Sequence, residues 1–265
     1  MLDAQPSSLQ PRAFGSVRVH VGTRGLAGLR QSGAMKLLFP RRATTEAVMV
    51  NTAGGITGGD RFDIEAHVDA ETALTLTTQA CERAYAAQPG PAGVLSVRLR
   101  VDGTLNWLPQ ETLLFDKCNF ARVMTVDLAP NARFLLGESI CFGRLARGER
   151  LLDARFRDRV VIRRAGHLIY RDGVDLSGNV NAILDRPAVA NGARAMASVV
   201  LAAPGAGAVV QNLRAMLPDR AGASTLGPDL LVLRLLAPDG FDLRKTLIPV
   251  LKYLAGQDLP AVWRL

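Results

Sequence analysis

The 265-residue chain is poor in the residue types that announce most chemistries. Its three cysteines, Cys81, Cys118 and Cys141, are odd in number, widely spaced and free of any CxxC pair, which argues against a zinc knuckle or a redox couple. They read as buried free thiols, since free cysteine behaves as a small hydrophobe. The three histidines, His20, His67 and His167, form no HxH or HxxxH pair, and each sits alone in a strand-like run. They read as surface or hydrogen-bonded residues rather than ligands. No apolar run approaches the roughly 20 residues that a membrane span needs. The N-terminal "MLDAQPSSLQPRAF" has no apolar core of a signal peptide, so a cytoplasmic location is expected. A GxSxG elbow and paired catalytic carboxylates are also missing, which lowers the expectation of an enzyme. Aromatics make up only 5% of the chain, leaving a core to be built from Val, Leu and Ala.

Positive charge is in excess, with 32 Lys and Arg against 24 Asp and Glu and a net charge of +8. A nucleic-acid-binding β protein is one reading of that excess. The arginines are strewn from Arg12 to Arg42 and from Arg144 to Arg171, the second stretch interleaved with Glu149, Asp153, Asp158 and Asp172. No helix-turn-helix, zinc finger or aromatic stacking motif accompanies them. A basic face that docks an acidic protein fits better.

Period-two alternation dominates the first two thirds. "SVRVHV" sets Val17, Val19 and Val21 against Arg18 and His20. "RFDIEAHV", "ALTLTT" and "VLSVRLRV" repeat the pattern of half-buried strands. Asp102-Gly103 separates "VLSVRLRV" from "TLNWL" by two residues and predicts a hairpin, and Ala165-Gly166 predicts another. Layered antiparallel β-sheets, β-helical or sandwich-like, are the expected class, in one domain over residues 1–265. A helical part is expected over about 205–256: a short helix in "AVVQNLRAML", a strand in "LLVLRLL", and a longer helix in "FDLRKTLIPVLKYLAG". In that longer helix Leu243, Leu247, Val250, Leu251 and Leu254 share one face.

The densest glycine cluster is "VNTAGGITGGDRF", residues 50–62. A phosphate loop requires a lysine and a following helix. Here Gly58-Gly59 leads into Asp60-Arg61 and then a strand, so the nucleotide reading fails. The remaining use of the glycines is backbone geometry: tight turning and close approach.

Three runs taken in order resemble the UreD-type (UreH) urease accessory proteins: "NTAGGITGGDRF", "LTLTTQACERAY" and "LNWLPQETLLFDKCNF". Weaker echoes follow in "GESICFGRLARGE", "YRDGVDL" and a C-terminus closing on Pro260 and Trp263. The chain departs from the family pattern at Thr52-Ala53 and Ala261-Val262. The resemblance implies a layered β protein with a helical C-terminal part and a non-enzymatic role. It implies assembly with UreF and the GTPase UreG on urease apoprotein, and help with nickel insertion. It implies no tightly bound cofactor, only transient Ni²⁺.

Imidazole and thiolate hold Ni²⁺ tightly, carboxylate and water more weakly, so a protein that passes nickel on is expected to use the weaker donors. The motif-embedded acids Asp60 and Glu111 are the candidates for an interior polar passage, with Asp116 or Glu82 nearby. Three of them have a structural alternative: Asp60 as a cap on the glycine turn, Glu111 as partner of an arginine such as Arg83, Asp116 as a turn residue. Leu247 and Leu251 on the C-terminal helix are candidates for partner binding, against the alternative that this face covers the chain's own sheet. A hydrolase with a carboxylate site is the competing reading.

Overall fold

The computed structural model describes residues 11–41 and 44–264. Positions 1–10 of the N-terminal stretch and Arg42 lie outside these residues. Two hairpins open the chain: β1 (Phe14–Gly22) with β2 (Gly25–Gly33), and β3 (Met35–Leu38) with β4 (Glu46–Asn51). From β4, which lies in a second sheet, the chain winds. β5 (Arg61–Val68) crosses to the first sheet and β6 (Ala73–Thr78) returns. After the short β7 (Glu82–Ala84), β8 (Gly93–Val101) and β9 (Thr104–Leu108) repeat the circuit. After the short β10 (Thr112–Leu114), β11 (Asn119–Leu128), β12 (Arg133–Phe142) and β13 (Ala154–Arg164) do so again. The remaining elements are β14 (His167–Gly178), α1 (Val180–Leu184), β15 (Ala195–Ala202), α2 (Val210–Arg214), β16 (Ala221–Thr225), β17 (Leu230–Ala237) and α3 (Gly240–Ala255). The first sheet runs β14-β13-β11-β8-β5-β1-β2 and the second β16-β17-β15-β12-β9-β6-β4-β3.

The protein is mainly β, in layers, with a small helical C-terminal part. Strand direction differs from the expectation. In the first sheet β1, β5, β8, β11 and β13 are parallel, and in the second β4, β6, β9 and β12 are parallel. Antiparallel pairs flank these blocks. A chain that returns through the opposite sheet always re-enters in the same direction, and the return strand serves as the crossover that a parallel pair requires.

The Asp102-Gly103 hairpin is therefore not formed, because this dipeptide carries β8 in one sheet to β9 in the other. A Cβ on Gly103 would stand 2.4 Å from the carbonyl oxygens of Asp69 and Thr72, so glycine is needed for close stacking of one corner on the next. The corners form a ladder: Asp69 N–H donates to Val21 O, Asp102 N–H to Val68 O, Ala129 N–H to Val101 O and Ala165 N–H to Leu128 O, all at 2.8–2.9 Å. Ala165-Gly166 does close a hairpin, with φ of 48° and 80° between the antiparallel β13 and β14.

Two cores result. Between the sheets lie the inward side chains of both, including Val17, Val19, Ile64, Leu99, Trp107, Phe134 and Phe156. The other face of the second sheet packs on α3, where Leu135, Val199, Leu231 and Leu233 meet Leu243, Leu247, Val250 and Leu251. The second sheet is thus buried on both faces, and "RFLLGESICF" of β12 is covered along nearly its whole length. Asp239 caps α3 by accepting the Asp242 N–H at 2.8 Å, and Gly256 ends it at φ 65°.

Candidate functional site: a polar cavity between the sheets

A cavity of about 330 Å³ interrupts the core between the sheets. Its wall includes Asn51, Gln79, Cys81, Glu82, Gln110 and Thr112, together with Trp107, Arg122 and Glu138. Two charged groups of its wall, Arg122 and Glu138, and Asp158 next to them arise from simple strand parity. Arg122 occupies an inward position of β11 between Phe120 and Met124. Asp158 sits between Phe156 and Val160 on β13, directly opposite Arg122 in the ladder. Glu138 follows Phe134 and Leu136 on the inward face of β12.

These three groups form a buried ion cluster. Arg122 Nε donates to Asp158 Oδ1 at 3.0 Å, and its Nη2 lies 2.5 Å from Asp158 Oδ2 and 2.8 Å from Glu138 Oε2. Trp107 Nε1–H donates to Glu138 Oε1 at 2.9 Å. Burial opposes the Arg122 charge, but Asp158 and then Glu138 outweigh it and hold the guanidinium above its ordinary value. Burial raises Glu138 against the opposing pull of Arg122. On the far side, the same Arg122, Glu138 and Asp158 border a hollow of about 20 Å³ reaching Ser198, Asp172 and Arg234. There Tyr170 O–H donates to Asp172 at 3.0 Å, and Arg234 Nη2 is 2.5 Å from the same Oδ2.

Glu82 stands at the other part of the wall. Asn51 Nδ2 donates to both its carboxylate oxygens at 3.2 Å, and Arg83 N–H donates to Oε1 at 3.1 Å. Burial pushes this carboxyl up to about 7 despite those donors, and the nearby charge of Asp60 adds to the rise. Glu82 therefore changes charge near neutral pH.

The other acids singled out in the sequence are placed differently. Asp60 is buried, but both oxygens are taken by main-chain donors: Ala13 N–H to Oδ1 and Thr57 N–H to Oδ2, each at 2.8 Å. It fixes the glycine loop behind the Glu82 wall and does not line the cavity. The loop needs glycine at 55, where φ is 158° and a Cβ would lie 2.3 Å from the Tyr85 ring and 2.6 Å from Arg83 O. Glu111 turns away from the cavity to Arg244 of α3, which also reaches Gln110. Its partner is Arg244, not Arg83. Asp116 Oδ1 accepts the N–H groups of Leu152 at 2.6 Å and Asp153 at 3.0 Å, closing a distant loop. Of the four, Glu82 alone faces the hollow.

Leu247 and Leu251 are wholly buried against the chain's own second sheet, so a partner could touch them only if α3 left its seat. The helix instead offers Phe241 and Tyr253 to solvent. Cys81 lines the cavity, whereas burial raises the Cys118 thiol to about 11 and the Cys141 thiol to about 12. No helix among the described residues is long and apolar enough to cross a membrane.

Arg122 and Glu138 escaped the sequence reading, although a signal existed. In "FARVMTV", "FLLGESI" and "RFRDRVVI" a charge falls on the apolar parity of a strand, where it must be paired if the strand is to be buried. Three such breaks within 40 residues mark one interior cluster.

The fold and its interior define a wound two-sheet β scaffold enclosing a charged cavity, backed by helices. The profile of the UreD urease accessory protein family matches residues 13–264. Urease accessory protein UreD of Roseobacter denitrificans is 50% identical over 263 residues, covering 97% of this chain and 96% of that relative. The UreD protein of Ruegeria pomeroyi is 50% identical over 248 residues, covering 92% and 96%. That of Sinorhizobium medicae is 41% identical over 278 residues and covers 100% of both chains. The chain belongs to the UreD family of urease accessory proteins.

Proposed function

We propose that this chain is a non-enzymatic scaffold of urease maturation that assembles with UreF and UreG on urease apoprotein and lets Ni²⁺ pass through its interior. The observation that carries this reading is the cavity between the sheets with ionisable carboxylates in its wall. Carboxylate, amide and water donors bind Ni²⁺ more weakly than a closed imidazole or thiolate cage, which suits a cargo that must leave. Burial raises the Glu82 carboxyl, so a cation held there would be exchanged against a proton. The glycine loop is committed to shaping the wall, which agrees with nucleotide chemistry being supplied by the GTPase partner.

Raised carboxyl groups in one hollow are also what a carboxylate hydrolase would present. Glu138 speaks against that reading, because Arg122 and Trp107 hold it in an ion pair instead of leaving it to shuttle protons. The basic nucleic-acid reading is disfavoured by pairing on the outer face, where Glu65 binds both Arg18 and Arg98 and Asp175 binds Arg157.

The test is co-expression of the chain with UreF, UreG and urease, comparing the parent with Glu82→Gln and Glu138→Gln. Pull-down with UreF and UreG together with a fall in urease nickel content in the variants is expected. Full nickel loading in both variants, or failure of the parent to capture UreF and UreG, overturns the proposal.

A further inference from the structure

The outer face of the first sheet brings together two of the three histidines. β1 and β5 are parallel with His20 opposite His67, and their valines at 19, 21 and 68 point inward, so both imidazoles point outward side by side. The rings stack at a centroid distance of 4.5 Å and an interplanar angle of 8°. The corner after β5 then returns Asp69 to the pair. His20 Nε2 lies 2.8 Å from Asp69 Oδ1, and His67 Nε2 lies 3.4 Å from the same oxygen. The next corner adds Asp102, whose Oδ2 is 3.1 Å from His67 Nε2. One donor atom each from His20, His67 and Asp69 fall within 4.8 Å of one another.

We infer that His20, His67 and Asp69, with Asp102 beside them, form a surface site for a divalent first-row transition cation such as Ni²⁺ or Zn²⁺. Two imidazole nitrogens and a carboxylate suit these ions, whereas Mg²⁺ and Ca²⁺ favour all-oxygen sets. Asp69 supplies a carboxylate whose Oδ1 faces both ring nitrogens, at 2.8 and 3.4 Å. Of the neighbouring cations, Arg18 and Arg98 are engaged by Glu65 at 2.5 and 2.6 Å, and Arg100 Nε lies 3.4 Å from Asp102 Oδ2, leaving Asp69 to the two imidazoles. Side-chain exposures of 38%, 31% and 39% for His20, His67 and Asp69 leave the site open to water and to exchange. None of the four residues lines the cavity between the sheets, so this site stands independently of any interior passage.

The test uses the purified full chain, stripped with chelator and dialysed against NiCl₂ or ZnCl₂. The parent is expected to bind one equivalent more than the His20→Asn, His67→Asn double variant, and Asp102→Asn to weaken that equivalent, since Asp102 Oδ2 lies against the same His67 Nε2 and would serve as a further oxygen donor. Glu82→Gln is expected to keep it, which separates this site from the interior one. Proton NMR gives a second readout that does not depend on a variant folding: paramagnetic Ni²⁺ should broaden the ring signals of His20 and His67 first and spare His167. Unchanged binding in a folded double variant, or broadening that does not single out His20 and His67, overturns the inference.

Discussion

The two faces of the second sheet are built on opposite plans. The face toward α3 is packed with apolar side chains: Leu135, Val199, Leu231 and Leu233 meet Leu243, Leu247, Val250 and Leu251, and its charged groups, Arg244 with Glu111 and Arg133 on the Leu254 carbonyl, are paired beside them. The face toward the first sheet carries Glu138, meets Arg122 and Asp158, and leaves a cavity of about 330 Å³. Stability does not explain the second plan, because a buried ion cluster is often no better than apolar side chains of the same volume. A fold that can pack one side of a sheet with leucine and valine could have packed the other likewise. Keeping charge there points to a task for the interior.

Several experiments can break or sharpen this contrast. The largest effect is expected for Arg122→Ala, which strands Asp158 and Glu138 without their cation and should cost about 3–5 kcal/mol in urea unfolding. On the apolar face, Leu247→Ala should cost about 3 kcal/mol by leaving a cavity under α3. If Leu247→Ala proved the costlier by a wide margin, the charged cluster would be less buried than its geometry says. Asp60→Ala leaves the N–H groups of Ala13 and Thr57 without acceptors and should cost about 2 kcal/mol, with urease nickel loading reduced only as far as the glycine loop loosens.

The pH dependence separates the faces further. Glu82 is raised from 4.5 to about 7 in the folded chain. A group raised on folding contributes its full stability below the unfolded value, and that contribution is lost as pH climbs through the folded one. The parent should therefore lose stability between about pH 4.5 and 7, and Glu82→Gln should flatten the curve and be the more stable of the two at pH 8. The smallest change in stability is expected for the combined Arg122→Met, Glu138→Leu, Asp158→Leu variant, within about 1 kcal/mol of the parent or above it. That variant should nonetheless fail to load urease with nickel. Full loading by it would remove the functional meaning of the charged face.

Much of the scaffold was legible in the chain. The strands at 14–22, 61–68 and 93–101 follow from alternation, that at 73–78 from its Thr and Leu content although four consecutive residues of it are buried, and α3 follows from five apolar positions at helical spacing. The Asp102-Gly103 corner was not legible as a crossing, because a dipeptide that suits a hairpin also suits a stacked corner between sheets. Of the two glutamates that line the cavity, Glu82 was among the candidates read from the motifs and Glu138 was not. Asp60 and Glu111 drew attention from the same motifs but serve the wall and the helix.

Local sequence determined which stretches become strands and which side chains face inward, because the pleat fixes a period of two whatever the strand pairs with. Tertiary structure alone decided which strands became neighbours. His20 beside His67, and Arg122 beside Asp158, depend on a parallel register between segments 47 and 36 residues apart, set by the winding of the whole chain. Alternation is a property of one strand; a cluster is a property of the register between several.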